Sequence, residues 1–564
     1  MAVQLNGSKS SSTHQTSIPI ELKWDRVVTQ ECLEDYDKSP SAPQSLFQVH
    51  RFIEQQYQNL PWPSKLNQIA VMTEVRGGRG DISGAAKVIG IMQKMCPSLM
   101  FDWIVLTGKY DPLSFLKCSD PSKVKIRNPL PMPENPTQAD FLVVGPVKSG
   151  WGTKYIESKF KVSLKGPRFD FLECASPIDT EIFVHVAWKM ANEKPNEAYR
   201  HIHDLFFPSR TQSSNGLSMG LQKGSGVLLD ESRVEAPLSQ EYCCPSYLLK
   251  LEDKELQKDI LAALGVSDEK SLPDYGKNSM NSGYAHRPAS WTKFIHVVAI
   301  QEREKDVTIV LNQHGEFDQL DTETFSELTF TAERLAFLKK WGYGDVVIKG
   351  AEKDPIIVQK SSDSQERKLT IILRPSFRPN DMKYLQLASE RLLATGDNSA
   401  AEAWAARCKL FVYEDVANLG CKNEFLKQQI ELANSISPNL GTLLRMFDMR
   451  NPPLTDEEMD LVIKILQSPS LAKETLQFCH LITQNYSFKN ILEGALKRTA
   501  WHHCIPELMN DEIDVMDDEF KSGIVNFMKS ADTPPQVINI KNLPLLAERV
   551  QLRVQQYLKK EATE

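Results

Sequence analysis

From about residue 69 to residue 435, short apolar runs alternate with amphipathic stretches, the pattern of buried strands joined by helices. Strands are expected at 69–75, 101–106, 141–144, 180–186, 307–311, 346–348, 369–373, 392–395 and 410–413. The helical spacing of Leu46, Val49, Phe52 and Ile53 predicts a helix within 43–60. Further helices are expected up to Met95 and over 246–264, 291–300, 331–341, 399–407 and 423–434, with a polar stretch running up to Asn281. Beyond about residue 436 the strand pattern stops. Helical periodicity over 454–466, 471–482, 488–498, 517–528 and 544–558 predicts an all-helical end to the chain.

Two strand-turn-helix-strand units stand out. In the first, the strand at Ile69 runs into Gly77-Gly78-Arg79-Gly80-Asp81 and an amphipathic helix. In the second, Leu392 to Thr395 ends at Gly396-Asp397-Asn398-Ser399, followed by a helix built from alanines. Open parallel sheets bind ligands at the carboxyl ends of their strands, and a glycine turn leading into a helix lets exposed amides and the helix dipole meet a phosphate. Ser399 adds a hydroxyl, and Glu402 one turn on suits a vicinal diol such as a ribose. Ser399-x-x-Glu402 is equally a capping box, which needs no ligand. Gly78-x-Gly80-x-x-Ser83 lacks the third glycine of a dinucleotide fingerprint.

The run from Arg374-Pro375-Ser376-Phe377-Arg378-Pro379 through Met382-Lys383-Tyr384-Leu385 and Gly396-Asp397-Asn398-Ser399 to Lys409-Leu410-Phe411-Val412-Tyr413-Glu414 resembles the donor half of GT-B glycosyltransferases. Its turn is most similar to the Gly-Glu-Asp-Ser turn of bacterial protein-arginine rhamnosyltransferases. The likeness is clear over some sixty residues. It implies an α/β chain with two Rossmann-like domains facing a cleft and a C-terminal helical extension. The bounds expected are a disordered leader at 1–18, an acceptor domain at 19–240, a donor domain at 241–435 and the helical extension at 436–564.

Several site roles follow from that resemblance. Gly78 and Gly80 belong to the acceptor-side loop, and Asp81 matches a general base that takes the acceptor's proton; as a residue type, Asp also serves as a helix N-cap. Gly396, Asn398 and Ser399 would hold the diphosphate, and Asp397 or Glu402 would bind ribose or organise the site. The related turn is preceded by Arg where Thr395 stands here, so positive charge is expected from Arg374, Arg378 or Arg287, with Tyr284 and His286 near the donor. Retaining GT-B enzymes carry a Gly-rich Phe-Gly run between two glutamates, which this sequence lacks, so inversion is expected.

Composition narrows the classes further. Hydrophobic residues make up 41% and charged residues 25%, with 66 basic and 73 acidic residues giving a net charge of −7. That balance argues against nucleic acid as the main partner. No apolar run approaches the roughly 18–20 residues that span a bilayer, and no signal core opens the chain. A cytoplasmic protein is expected, or one exported without a cleavable signal peptide, as a bacterial effector would be. The ten cysteines lack zinc or disulfide spacing. Asp35-Tyr36-Asp37, His201 with His203, and His502-His503-Cys504 read as solvated or packed residues, so no metal and no cofactor is expected beyond a nucleotide-diphosphate sugar as co-substrate. The acceptor would be a protein or glycan. Two other readings stay open: a GT-B-fold sugar-nucleotide epimerase or hydrolase, and a non-catalytic interaction protein that binds through its helical tail.

Overall fold

The computed structural model describes residues 53–75, 80–106, 111–116, 118–127, 136–145, 153–172, 214–218, 220–221, 226–238, 242–266, 272, 275, 278–285, 288–313, 322–351, 354–363, 365–414, 424–446, 456–512 and 543–563. The stretches expected as a strand at 180–186 and a helix at 517–528, with His201, His203, His286, Arg287 and Gly78, lie outside the described residues.

The first lobe begins with β1 (Gln68–Glu74), α1 (Gly80–Met95), β2 (Met100–Leu106) and β3 (Val124–Arg127). After them come β4 (Thr137–Ala139), β5 (Phe141–Val144), α2 (Thr153–Phe160), β6 (Val162–Leu164), β7 (Arg168–Leu172) and β8 (Ser214–Ser218). Six strands form one parallel sheet in the order β3-β2-β1-β5-β7-β8, and β4 pairs β6 alone. Ile69 to Met72 are buried because a parallel strand is covered on both faces, here by α1 on one side. Ile82, Ala85, Val88, Ile89 and Met92 of α1 recur at helical spacing and join the core with Val71 and Phe141.

The chain reaches the second lobe through α3 (Glu231–Val234), capped by Asp230, whose side chain accepts from the Ser232 amide. That lobe comprises α4 (Lys254–Ala263), β9 (Asn278–Ala285), α5 (Pro288–Gln301), β10 (Asp306–Gln313), α6 (Thr322–Thr329) and α7 (Ala332–Lys340). It continues with β11 (Tyr343–Lys349), β12 (Ile356–Gln359), β13 (Arg367–Arg374), α8 (Pro379–Ala388), β14 (Arg391–Thr395), α9 (Asp397–Ala406) and β15 (Leu410–Glu414). The sheet order is β12-β11-β13-β10-β9-β14-β15, parallel except for the edge strand β12.

The interior strand β9 corrects the polar stretch expected there. Asn278, Ser279, Asn281 and Ser282 are buried rather than solvated because each has a hydrogen-bond partner: Leu264 O for Asn278, Glu390 and Arg391 for Ser279, Arg391 for Asn281 and Ser389 for Ser282. Ser279 Oγ donates to Glu390 Oε2 at 3.0 Å, and Arg391 Nη1 donates to Ser279 Oγ at 3.0 Å. The helix expected over 246–264 is instead a 3-10 turn, Pro245–Lys250, followed by α4 after a break at Asp253.

The chain ends in helices, as expected: α10 (Glu424–Ile436), α11 (Pro438–Met446), α12 (Asp456–Leu466), α13 (Leu471–Asn485), α14 (Phe488–Cys504) and α15 (Leu543–Glu561). They are built into both lobes. Phe478 of α13 stacks on Phe411 and meets Trp404 edge-on, whereas Phe488, Leu492 and Leu496 of α14 enter the first lobe's core. Where the chain recrosses, the Val227 amide donates to Tyr486 O at 2.8 Å and the Phe488 amide to Val227 O at 3.0 Å. A Cβ at Gly226 would lie 2.7 Å from Tyr486 O, so this close pairing of the two crossings needs glycine there.

Candidate functional site

Each sheet reverses its winding once. In the first lobe the reversal falls between β1 and β5, and in the second between β9 and β14. Crevices at such points, beyond the carboxyl ends of the strands, are where doubly wound sheets bind ligands. The turn after β1 leads into α1, and the turn after β14 leads into α9. The second glycine turn singled out in the sequence therefore sits at one switch point, and the described flanks of the first, the end of β1 and the start of α1 at Gly80, sit at the other.

In the second lobe Gly396 is the N-cap of α9, with φ 73° and ψ 161°, a combination essentially reserved for glycine. The helix opens at Asp397, which corrects the start expected at Ser399 and removes the capping-box reading. Ser399 lies inside the first turn, where helix amides have no partner four residues back. Asp397, Asn398 and Ser399 are half-buried. Tyr413 Oη donates to Asp397 Oδ1 at 2.9 Å, and Thr395 Oγ1 donates to Glu414 O at 3.3 Å, tying the turn to β15. Trp404, wholly buried among Phe411, Phe425 and Phe478, anchors the far end of α9. Gly283 of β9 pairs with Leu393, and a Cβ there would meet Leu393 Cβ at 2.6 Å. Tyr284, half-buried, is one residue further along, beside the run into the Gly396 turn.

From the first lobe, Ser83 and Lys87 lie one turn apart on the same face of α1. Lys87 Nζ donates to Asn398 Oδ1 at 2.6 Å and to Leu228 O at 3.1 Å, and lies 3.3 Å from Glu402 Oε1. Ser83 Oγ donates to the same Glu402 oxygen at 3.4 Å. The other oxygen of Glu402 lies 3.3 Å from Arg233 Nη2. Arg233 is fully buried, pairs with Asp230 and donates from Nε to Gln386 Oε1 at 3.1 Å. One carboxylate thus joins both lobes and the connecting segment. Asp81 lies in the first turn of α1, after the opening Gly80, where a negative charge suits the helix dipole; it does not cap the helix from outside.

Two cations expected at the turn are placed elsewhere. Arg374 is buried at the end of β13, where it pairs with Asp259, which also meets Lys349 at 2.5 Å. Strand β13 stands three strand spacings from β14, about 14 Å, beyond the reach of one side chain. Arg378 is the exposed N-cap of α8, 3.9 Å from Glu252. The basic group that touches the turn among the described residues is Lys87, which the sequence reading missed. Its signal was available: from Ile82 to Met92, Lys87 is the sole charged residue of α1. The sequence did not flag Arg233, because beside its local partner Asp230 it meets Gln386 and Glu402, more than a hundred and fifty residues further along the chain. Among the described residues no group of three or more His, Cys, Asp or Glu is arranged to hold a metal ion, and no helix is long and apolar enough to cross a membrane.

Comparison with known proteins places these features in context. A family profile described as "Protein of unknown function (DUF562)" matches residues 290–432, from the start of α5 to within α10. No curated protein matches the chain. Among solved structures, the chain is similar to a UGT transferase from Siraitia grosvenorii in complex with UDP, at 10% identity and a TM-score of 0.37, covering 77% of this chain and 99% of that one. It is also similar to α,α-trehalose 6-phosphate synthase from Burkholderia multivorans, at 10% identity and a TM-score of 0.35, covering 78% and 99%. A third is a glycosyltransferase involved in lipopolysaccharide biosynthesis, at 12% identity and a TM-score of 0.33, covering 76% and 99%.

Proposed function

We propose that this chain is a glycosyltransferase that moves a sugar from a nucleotide-diphosphate donor to an acceptor, with inversion and without a metal ion. The observation that carries the reading is the meeting of the two switch-point helices, α1 and α9, through Lys87, Asn398 and Glu402. A donor on the Gly396 turn would have its leaving diphosphate at the start of α9, where amides and dipole favour negative charge. The acceptor would enter from the first lobe, beside Asp81 as the base. Glu402 is committed to Lys87 and Arg233, and Asp397, which accepts from Tyr413 at the turn itself, would meet the ribose or organise the site. The packing of α13 and α14 into both lobes favours this over a reading in which the helical tail is a free binding arm.

The test is to incubate the full chain with UDP-, GDP-, ADP- and dTDP-sugars and follow nucleoside diphosphate release, with and without cell-extract proteins and glycans. Release from one donor that rises with an acceptor supports transfer. Release indifferent to any acceptor points to a hydrolase, and no turnover or binding of any donor sinks the proposal.

A further inference from the structure

We infer that Lys87, from the opposite lobe, is the residue that neutralises the donor's diphosphate; this rests on the donor site proposed above. Diphosphate departure needs positive charge near the Gly396 turn, and the two described arginines offered by sequence are a buried partner of Asp259 and an exposed helix cap near Glu252. Lys87 Nζ is already 2.6 Å from Asn398 Oδ1, in the first turn of α9. An anion on the amides of that turn would lie within the sweep of the same ammonium, whose long stem can turn without moving the backbone.

The surrounding charges allow the transfer. Glu402, which Lys87 now meets at 3.3 Å, has Arg233 on its other oxygen. When Lys87 swings to a phosphate, the carboxylate keeps a buried cation and is not left bare. Leu228 O, 3.1 Å from Nζ, belongs to the segment between the lobes, so the same lysine links three parts of the chain. Because the cation comes from one lobe and the turn from the other, diphosphate affinity would depend on the lobes being closed.

The experiment is calorimetric titration of the full chain with UDP, GDP, ADP and dTDP, then of whichever binds against its monophosphate and nucleoside, in wild type, Lys87→Gln and Lys87→Arg. Lys87→Gln should weaken the diphosphate about tenfold or more, leave the nucleoside within twofold, and flatten the salt dependence; Lys87→Arg should recover most of the loss. Equal weakening of diphosphate and nucleoside, or no weakening, would overturn the inference while leaving the donor site standing. If wild type binds none of the four, the donor-site reading itself fails and takes the inference with it. Melting curves of both variants identify any unfolded one, in which case the Lys87→Arg comparison and the salt dependence of wild type decide.

Discussion

Lys87 in α1 and Asn398 in α9 belong to different lobes and are separated by 311 residues in sequence, yet the ammonium donates to the amide oxygen at 2.6 Å. Glu402 completes this junction by holding Lys87 and Arg233 on its two oxygens. Glu402→Gln keeps the shape and removes the charge, while Arg233 retains Asp230. A loss of about 1–3 kcal/mol is expected, seen as a lower melting temperature. In the double variant with Lys87→Gln the losses should not add, since each change removes part of the same interaction. Strict additivity would mean the two side chains are not coupled in solution.

Gly396 tests the turn itself. At φ 73° and ψ 161° a Cβ is strained, so Gly396→Ala should cost about 1–3 kcal/mol and shift the start of α9. A variant as stable as wild type would show that the turn adopts another conformation in solution.

Asp81 tests the chemistry. Asp81→Asn removes a base and retains a hydrogen-bonding side chain, so transfer should fall about 10²–10⁴-fold with donor binding unchanged. Full activity in this variant would assign the base elsewhere.

How much of this was legible beforehand depended on whether a residue's partners were local. Buried parallel strands such as Phe141–Val144 announce themselves as apolar runs, and the Gly396 turn was visible because a sharp turn needs its residue type on the spot. Strand β9 was hidden because Ser279 and Asn281 are satisfied by Glu390 and Arg391, more than a hundred residues away. Lys87 was missed for the same reason, and so was the tie from Arg233 to Glu402, since long-range pairing leaves no trace in local spacing.

A buried charge cluster sets the expected acid response. Burial raises the Glu512 carboxyl, but the charges of Arg498 and His502 outweigh it and hold the group at about 2, against an ordinary 4.5. Tyr57 donates to it as well, and Glu54 and Asp511 complete the acidic and phenolic groups nearby. A depressed carboxyl stabilises the fold above its unfolded value and stops doing so as pH falls through its folded one. Stability owed to Glu512 should therefore be present at neutral pH and disappear between about pH 4.5 and 2. Glu512→Gln should cost about 3–5 kcal/mol at pH 7, by leaving Arg498 buried without its carboxylate, and should flatten this acid slope. Melting temperatures of both proteins from pH 7 to pH 3 check it.

The central claim is that the Gly396 turn receives a nucleotide diphosphate, and thermal shift of the full chain against UDP, GDP, ADP and dTDP, beside Ser399→Ala and Gly396→Val, tests it most directly. One nucleotide should stabilise wild type, by about 2.7 kcal/mol at a hundredfold excess over its Kd, and should stabilise both variants much less. Stabilisation by none of the four, or equal stabilisation of wild type and Gly396→Val, would contradict it.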